Sequence, residues 1–170
     1  ALEFVCYSLL NSFSQACTTF VGQNNGAKDL SRCRKTLKVC LVEDAIVAIT
    51  MILLVVWQGR TMLSIFSSDP AVLDIAYVRV CTIFPAYVFS MIYENMSGYL
   101  RGFGISLLPS VLTALGVCGA RFFWVLVVFP ASPTFATVML AYPVSLGLTA
   151  LLITGALLYC KPGWGSAHPA

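Results

Sequence analysis

One carboxylate lies inside an apolar stretch and could exchange a proton or a small cation. Glu94 stands seven residues before Arg101, roughly 10 Å along a helix, in the inner half of a bilayer's hydrocarbon. A bare carboxylate there costs at least about 2.5 kcal/mol, so it must face a wet cavity, form a pair or stay protonated. Ser90 and Tyr87, one and two turns earlier, share its face and could add oxygen ligands to a hard cation. These three residues are the predicted ion-coupling group; the structural alternative pairs Glu94 with Arg101 or a lipid headgroup.

Arg121 is also predicted to lie within the membrane, about midway along a fourth apolar segment. A charged side chain at that depth marks a ligand pathway or a buried pair. Arg121 could anchor an anionic group or neutralise Glu94 across a helix bundle. We place it on the predicted substrate path with both roles open.

A polar stripe follows one face of the first apolar segment at spacings of three and four: Ser8, Asn11, Gln15 and Thr18 or Thr19. Such a stripe could line a water-filled substrate path, with Asn11 and Gln15 as its lining residues. Alternatively, small polar side chains join membrane helices by hydrogen bonds worth about 1 kcal/mol or less each.

The composition is that of a polytopic membrane protein. Hydrophobic residues make up 59% and charged residues 10% of the 170, with mean hydropathy +0.88, whereas soluble domains average about one quarter charged. Five segments reach the roughly 20 residues that a bilayer core requires: about 2–21, 37–57, 74–99, 106–129 and 135–159. Without water to satisfy the backbone, all five should be helical. We expect an all-α membrane protein, with residues 1–160 as one transmembrane lobe and 161–170 as a tail.

Several classes of function find no support in the sequence. The net charge of +3 lies in loops, so it indicates orientation rather than a nucleic-acid partner. Seven cysteines form no C-x-x-C pair and lie mostly in apolar runs, which argues against a disulfide framework or a metal site. The single histidine, His168, is in the tail, and no catalytic motif is present. We expect neither an enzyme nor a cofactor, apart from a coupling ion.

Basic residues cluster directly after the first segment: Lys28, Arg32, Arg34, Lys35 and Lys38. The positive-inside rule assigns such a crowded loop to the cytoplasm. The alternation of segments then puts the tail from Lys161 on the same side. We predict a multi-pass protein of the plasma (inner) membrane, with the Lys28–Lys38 loop and the tail cytoplasmic.

The second segment has irregular edges. Glu43 and Asp44 closely follow Lys38, which predicts a short amphipathic lead-in along the inner surface before an apolar run from Ala45. Beyond the segment, apolar residues with polar neighbours predict a brief interfacial stretch: Leu63, Ile65 and Phe66.

Prolines mark a helix start and two bends. Asp69 before Pro70 combines a capping residue with a proline in the first turn, so the third helix is predicted to begin at Pro70. Pro85 and Pro143 fall inside the third and fifth helices, where each removes a hydrogen bond and permits a kink.

Three motifs in this order resemble the multidrug and toxic compound extrusion (MATE) family. They are Val-Gly-Gln-Asn-Asn-Gly-Ala at 21–27, Leu-Ser-Ile-Phe-Ser-Ser-Asp-Pro-Ala-Val at 63–72, and Tyr-Leu-Arg-Gly-Phe-Gly at 99–104. The resemblance covers roughly Ser12 to Lys161. It implies twelve helices in two six-helix lobes, of which this chain has the second to sixth helices of the C-terminal lobe. A start at Ala1, directly in apolar residues, also suggests a piece of a longer protein.

The resemblance further implies an antiporter that exports organic, often cationic, compounds in exchange for sodium or protons by alternating access. Its partners would be a small-molecule substrate, membrane lipid and the N-terminal lobe. Family members carry a functional carboxylate in the helix that matches 77–99, and Glu94 lies about one turn closer to the cytoplasm than that position, while Ser90 is nearer to it.

Two other functions are compatible with the sequence. A lipid-linked sugar flippase of the same superfamily would be expected to have more intramembrane Arg and Lys than Arg121 alone. A non-transporting membrane scaffold would act only through a partner bundle.

Overall fold

The computed structural model describes residues 2–65 and 68–162, and over these ranges the chain is helical with no strand. The described part contains five helices in series: α1 Leu2–Gly26, α2 Leu30–Ser64, α3 Pro70–Gly102, α4 Leu107–Ala131 and α5 Phe135–Cys160. In α4, two stretches have π-helical hydrogen bonding, Ala114–Gly119 and Trp124–Val128. The predicted all-α class is confirmed.

Four of these helices, α2 to α5, are long and apolar enough to cross a membrane. The 25 residues of α1 are sufficient in length, but α1 is not among the helices that meet the hydropathy requirement. Its lower hydropathy comes from hydroxyl and amide side chains, some of which hydrogen-bond to α3. Five helices were predicted and residues 2–65 and 68–162 contain five, of which four have a membrane-spanning composition.

Four of the five residues of the basic cluster lie on a helix instead of in a loop. Asp29 accepts a hydrogen bond from the backbone N–H of Arg32 at 3.0 Å and caps α2, which then runs without a break to Ser64. Lys28 closes the short turn from α1 with a left-handed backbone, φ 59°. The predicted lead-in along the membrane surface is therefore wrong, because an N-terminal cap lets the helix continue beyond its apolar part.

The same extension changes the other end of α2. Leu63 belongs to this helix and Ile65 directly follows it, so no separate interfacial segment forms from these two residues. Phe66 lies outside the described residues.

The third helix begins where the sequence predicted. The Asp69 carboxylate accepts a hydrogen bond from the N–H of Ala71 at 2.9 Å, and Pro70 occupies the first turn. Pro85 and Pro143 lie within α3 and α5 without ending them. His168 and most of the tail, 163–170, lie outside the described residues.

The core is built around α3, which packs against α1, α2 and α5, while α4 packs mainly against α5. Glycines allow the closest approach between α1 and α3. A Cβ on Gly98 would lie 2.5 Å from the carbonyl oxygen of Ser14, and one on Gly102 would lie 2.7 Å from Cβ of Val21. Small residues at such crossings let membrane helices approach backbone to backbone.

Candidate functional site

Glu94 is held between α1 and α3 with 8% of its surface exposed. The Tyr7 hydroxyl donates a hydrogen bond to its Oε1 at 2.8 Å, and Nη2 of Arg101 lies 3.9 Å from its Oε2. The pairing with Arg101, which the sequence left open as the structural alternative, is therefore present. A hydrogen bond and an ion pair compensate the burial of the carboxylate.

Ser14, which the sequence did not single out, completes this arrangement. It is fully buried, and its hydroxyl donates to the backbone carbonyl of Glu94 at 2.7 Å while accepting from Nη2 of Arg101 at 2.8 Å. Its spacing of four from Thr18, whose hydroxyl donates to the carbonyl of Gly98 at 3.1 Å, was the available signal. Together these contacts fix the part of α3 around Glu94 against α1.

Ser90 and Tyr87 lie beside a cavity of about 250 Å³ instead of around Glu94. We call it the tyrosine cavity; its lining residues are Tyr7, Tyr87, Ser90, Tyr93, Val117, Arg121, Tyr142 and Leu146. The Ser90 hydroxyl donates to the Tyr93 hydroxyl at 3.4 Å. Tyr7 belongs to both places, since it lines the cavity and donates to Glu94. Of the three predicted ion-coupling residues, Ser90 and Tyr87 thus line the cavity and Glu94 lies apart from them. Tyr7 contacts both Glu94 and the cavity.

Arg121 closes part of the tyrosine cavity between α4 and α5. Its Nε donates to the Ser145 hydroxyl at 3.1 Å, and its guanidinium carbon lies 4.4 Å from the centre of the Tyr142 ring. Among the described residues it forms no ion pair with Glu94. Arg121 therefore does not neutralise Glu94 in this structure. Its other predicted role, on the substrate path, stays a prediction.

The polar stripe of α1 divides between two environments. Thr18 faces α3, whereas Ser8 and Gln15 are exposed and Asn11 is half-buried. The hydroxyls of Ser8, Ser12 and Thr19 donate to carbonyls of their own helix. Neither Asn11 nor Gln15 lines the tyrosine cavity. A helix face that is polar along its length need not face a single surface.

A second buried carboxylate, Asp44, was missed because the sequence placed it in a surface lead-in. Asp44 and Asn95 both have no exposed surface, and Nδ2 of Asn95 donates to Oδ2 of Asp44 at 2.5 Å. The available signal was the face that Asp44 shares with Cys40 and Ala48, which are buried one turn to either side. The pair links α2 to α3 directly beside Glu94 in sequence.

Comparison with known proteins adds a family to this geometry. A family model described as MatE matches residues 1–127. A protein of Thermotoga maritima described as "Probable multidrug resistance protein NorM" is 28% identical over 108 residues, which cover 64% of this chain and 23% of that protein. A protein of Aromatoleum aromaticum with the same description is 31% identical over 143 residues, which cover 79% of this chain and 30% of that protein. No solved structure matches the chain.

The chain thus spans less than a third of the length of either relative. The family model, in contrast, covers well over half of this chain, and it includes α1 to α3 with Glu94, Asp44 and most of the tyrosine cavity. Four apolar helices agree with a multi-pass membrane protein. The chain therefore belongs to the MatE family, the multidrug and toxic compound extrusion (MATE) transporters.

Proposed function

We propose that this chain is the C-terminal-lobe part of a cation-coupled antiporter that exports organic, often cationic, compounds by alternating access. The coupling ion is sodium or a proton, and an N-terminal lobe of the same transporter completes the path through the membrane. On this proposal the protein lies in the plasma membrane with the basic start of α2 in the cytoplasm. Membrane lipid surrounds the exposed apolar side chains.

One observation carries this proposal: Tyr7 connects a buried carboxylate to a cavity. When Glu94 is ionised, it is a strong acceptor for the Tyr7 hydroxyl; when it is protonated or holds a cation, it is a weaker acceptor, and that hydroxyl can reorient toward the tyrosine cavity. Ion exchange at Glu94 can therefore change the hydrogen-bonding groups that a substrate meets. A ligand and an ion that alter the same group affect each other's binding reciprocally.

The tyrosine cavity supports the substrate class. Aromatic rings attract organic cations through their faces and stack on planar drugs, and the rings of Tyr7, Tyr87 and Tyr93 lie there. Arg121 already covers the Tyr142 ring and disfavours a cation at that end. At about 250 Å³ the cavity is below the roughly 300–1,000 Å³ of drug-sized sites. It would hold one part of a substrate, with the other lobe enclosing the rest.

Substitution of Glu94 tests the proposed coupling. The intact protein is reconstituted in proteoliposomes, and drug efflux is driven by an imposed proton gradient or an imposed sodium gradient. We expect Glu94→Gln to abolish efflux driven by the physiological ion, because the amide cannot exchange a proton or balance a cation.

The matched control is Glu3→Gln at the half-exposed ion pair with Arg79, which should retain efflux. Efflux by Glu94→Gln that keeps its normal ion dependence would show that the assigned role is wrong. The two gradients applied separately to the unsubstituted protein identify the coupling ion.

A further inference from the structure

A polar layer crosses the apolar core formed by α1, α2 and α3. On one side lies a cluster made of Leu10, Ala48 and Met91, and on the other a cluster that includes Cys17, Cys40 and Tyr99. Each helix places a polar residue between its two apolar ones: Ser14, Asp44 and Asn95, with Glu94 beside them. A polar layer between packed apolar clusters is excluded from bulk water, so its donors and acceptors must satisfy one another.

This layer has fewer hydrogen-bond donors than its acceptors require. The amide nitrogen of Asn95 donates to Oδ2 of Asp44 at 2.5 Å and to the Met91 carbonyl at 3.0 Å. Oδ1 of Asp44 and Oδ1 of Asn95 are buried and have no hydrogen-bond partner among the residues that the structure describes. Rotating the Asn95 amide exchanges the positions of its nitrogen and oxygen but adds no donor. The layer therefore lacks a hydrogen-bond donor in either orientation.

The layer also has less positive than negative charge. Asp44 and Glu94 are both carboxylates, and Arg101 is engaged by Glu94 and Ser14. No described Lys or Arg forms an ion pair with Asp44. The Tyr7 hydroxyl donates to Glu94, and the thiols of Cys17 and Cys40 lie one turn away on α1 and α2; none of these groups brings a positive charge. With both carboxylates ionised, the layer has one negative charge more than positive.

We propose that Asp44 and Asn95 form a binding site for one monovalent cation, either a proton on the Asp44 carboxyl or a sodium ion held between their oxygens. A proton supplies the absent donor and removes the excess charge. A sodium ion removes the same charge and uses the two unpartnered oxygens as ligands, as hard cations prefer. A divalent ion would leave one positive charge too many.

This site is separate from the Glu94 pair, although Asn95 follows Glu94 directly on α3. Its occupant changes the electrostatic field at Glu94, and occupation of Glu94 changes the affinity of Asp44 for its ion in return. The inference concerns ion binding only, so it stands or falls independently of drug efflux.

Infrared difference spectroscopy of the intact purified protein in lipid nanodiscs tests the site. The carbonyl stretch of a protonated carboxyl is recorded at neutral pH in sodium-free buffer and again during sodium addition. Thermal unfolding is followed over the same sodium series, with choline at equal ionic strength as the control ion. The variants are Asp44→Asn, Glu94→Gln and, as a matched control on the exposed side of α2, Glu43→Gln.

If the occupant is a proton, the protonated-carboxyl band is present without sodium, disappears in Asp44→Asn and remains unchanged in Glu43→Gln. In Glu94→Gln the band still belongs to Asp44 but should be lost at a lower pH than in the unsubstituted protein, because one neighbouring negative charge is removed. If it is sodium, the unfolding temperature rises with sodium to saturation at one site, and this rise is lost in Asp44→Asn and kept in Glu43→Gln. Asp44 ionised at neutral pH, without any saturable sodium effect that depends on it, would overturn the proposal.

Asn95→Leu gives a readout even if Asp44→Asn does not fold. In the proton case the band of Asp44 should remain and move to higher frequency, because its amide partner is gone. In the sodium case the saturable rise in unfolding temperature should be lost. An Asn95→Leu protein that keeps an unshifted band, or an unchanged sodium response, would contradict a shared site.

Discussion

Tyr7 joins the two parts of the candidate site, a buried carboxylate and the tyrosine cavity. Its ring lines the cavity and its hydroxyl is 2.8 Å from Oε1 of Glu94. Hydrogen bonds to charged groups contribute about 1.5–3 kcal/mol, and the low dielectric of a core strengthens them. The coupling between ion and substrate is therefore expected to pass through this one hydroxyl.

We expect Tyr7→Phe to reduce ion-driven efflux by about ten- to a hundredfold, since each roughly 1.4 kcal/mol of the lost hydrogen bond corresponds to a factor of ten. The ring remains, so binding of an aromatic substrate in the absence of an ion gradient should change little. Efflux and equilibrium substrate binding are measured on the same preparation. Tyr159→Phe, at an exposed tyrosine near the end of α5, is the matched control and should behave as wild type. Equal losses of efflux and of substrate binding would contradict a coupling role for the hydroxyl.

Residue types indicated where one buried carboxylate lies. A single carboxylate within an apolar run is conspicuous, and Glu94 is buried as its position indicated. Asp44 was hidden by its polar neighbours Lys38 and Glu43, because hydropathy cannot distinguish the buried from the exposed face of a helix end. The unpartnered oxygens of Asp44 and Asn95 arise from packing between two helices, which no local pattern records.

At the scale of helices, the crossing of α1 and α3 depends on Gly98. A Cβ there would meet the carbonyl oxygen of Ser14 at 2.5 Å and its hydroxyl at 2.9 Å. Backbone atoms cannot move aside as a flexible side chain can, so the helices would have to separate. Separation would also lengthen the contacts of Ser14 with Glu94 and Arg101.

Gly98→Ala is predicted to destabilise the protein by about 1–3 kcal/mol. Gly155→Ala, in α5 with no atom of the described residues within 4 Å of the added Cβ, should be neutral or stabilising by up to about 1 kcal/mol from helix propensity. Thermal unfolding of the two variants in the same detergent measures the difference. A Gly98→Ala protein at least as stable as Gly155→Ala would show that the crossing relaxes without loss.

Helix starts and ends were predicted unevenly for a physical reason. The start at Pro70 has a local chemical signal, the Asp69 cap, and it was found. Hydropathy responds only to the hydrocarbon part of a helix, so it could not show that α2 continues to Leu30 and to Ser64 beyond its apolar stretch. The polar residues of α1 were read as a single stripe, whereas packing assigns Thr18 to α3 and leaves Gln15 exposed.

At the scale of the whole molecule, many apolar side chains on the outside of the five helices are exposed. Side chains on α4 are among the most exposed, including Phe122 at 70%, Phe123 at 62% and Leu126 at 72%. Such a surface requires lipid or further helices. In the proposed two-lobe transporter, membrane lipid and the helices of the other lobe would cover this surface.

We therefore expect residues 1–170 reconstituted alone to catalyse no drug exchange, since half of the substrate path would be lacking. Co-reconstitution with the N-terminal lobe as a separate chain should restore exchange to a measurable fraction of the intact protein. Flux of a fluorescent substrate in proteoliposomes measures both. Exchange by this segment alone would contradict the two-lobe proposal, and lipid-linked sugar transport would favour a flippase instead.

The length of α2 has a geometric consequence for how the chain sits in a bilayer. Its 35 residues extend about 52 Å at 1.5 Å each, against a hydrocarbon thickness of about 30 Å. Even the steepest usual tilt, about 40°, leaves a projection of about 40 Å along the membrane normal. At least about two turns of α2 must therefore lie outside the hydrocarbon core, at the level of the lipid headgroups. Because the helix is continuous, the basic side chains near its start are held at a fixed position relative to the lipid phosphates.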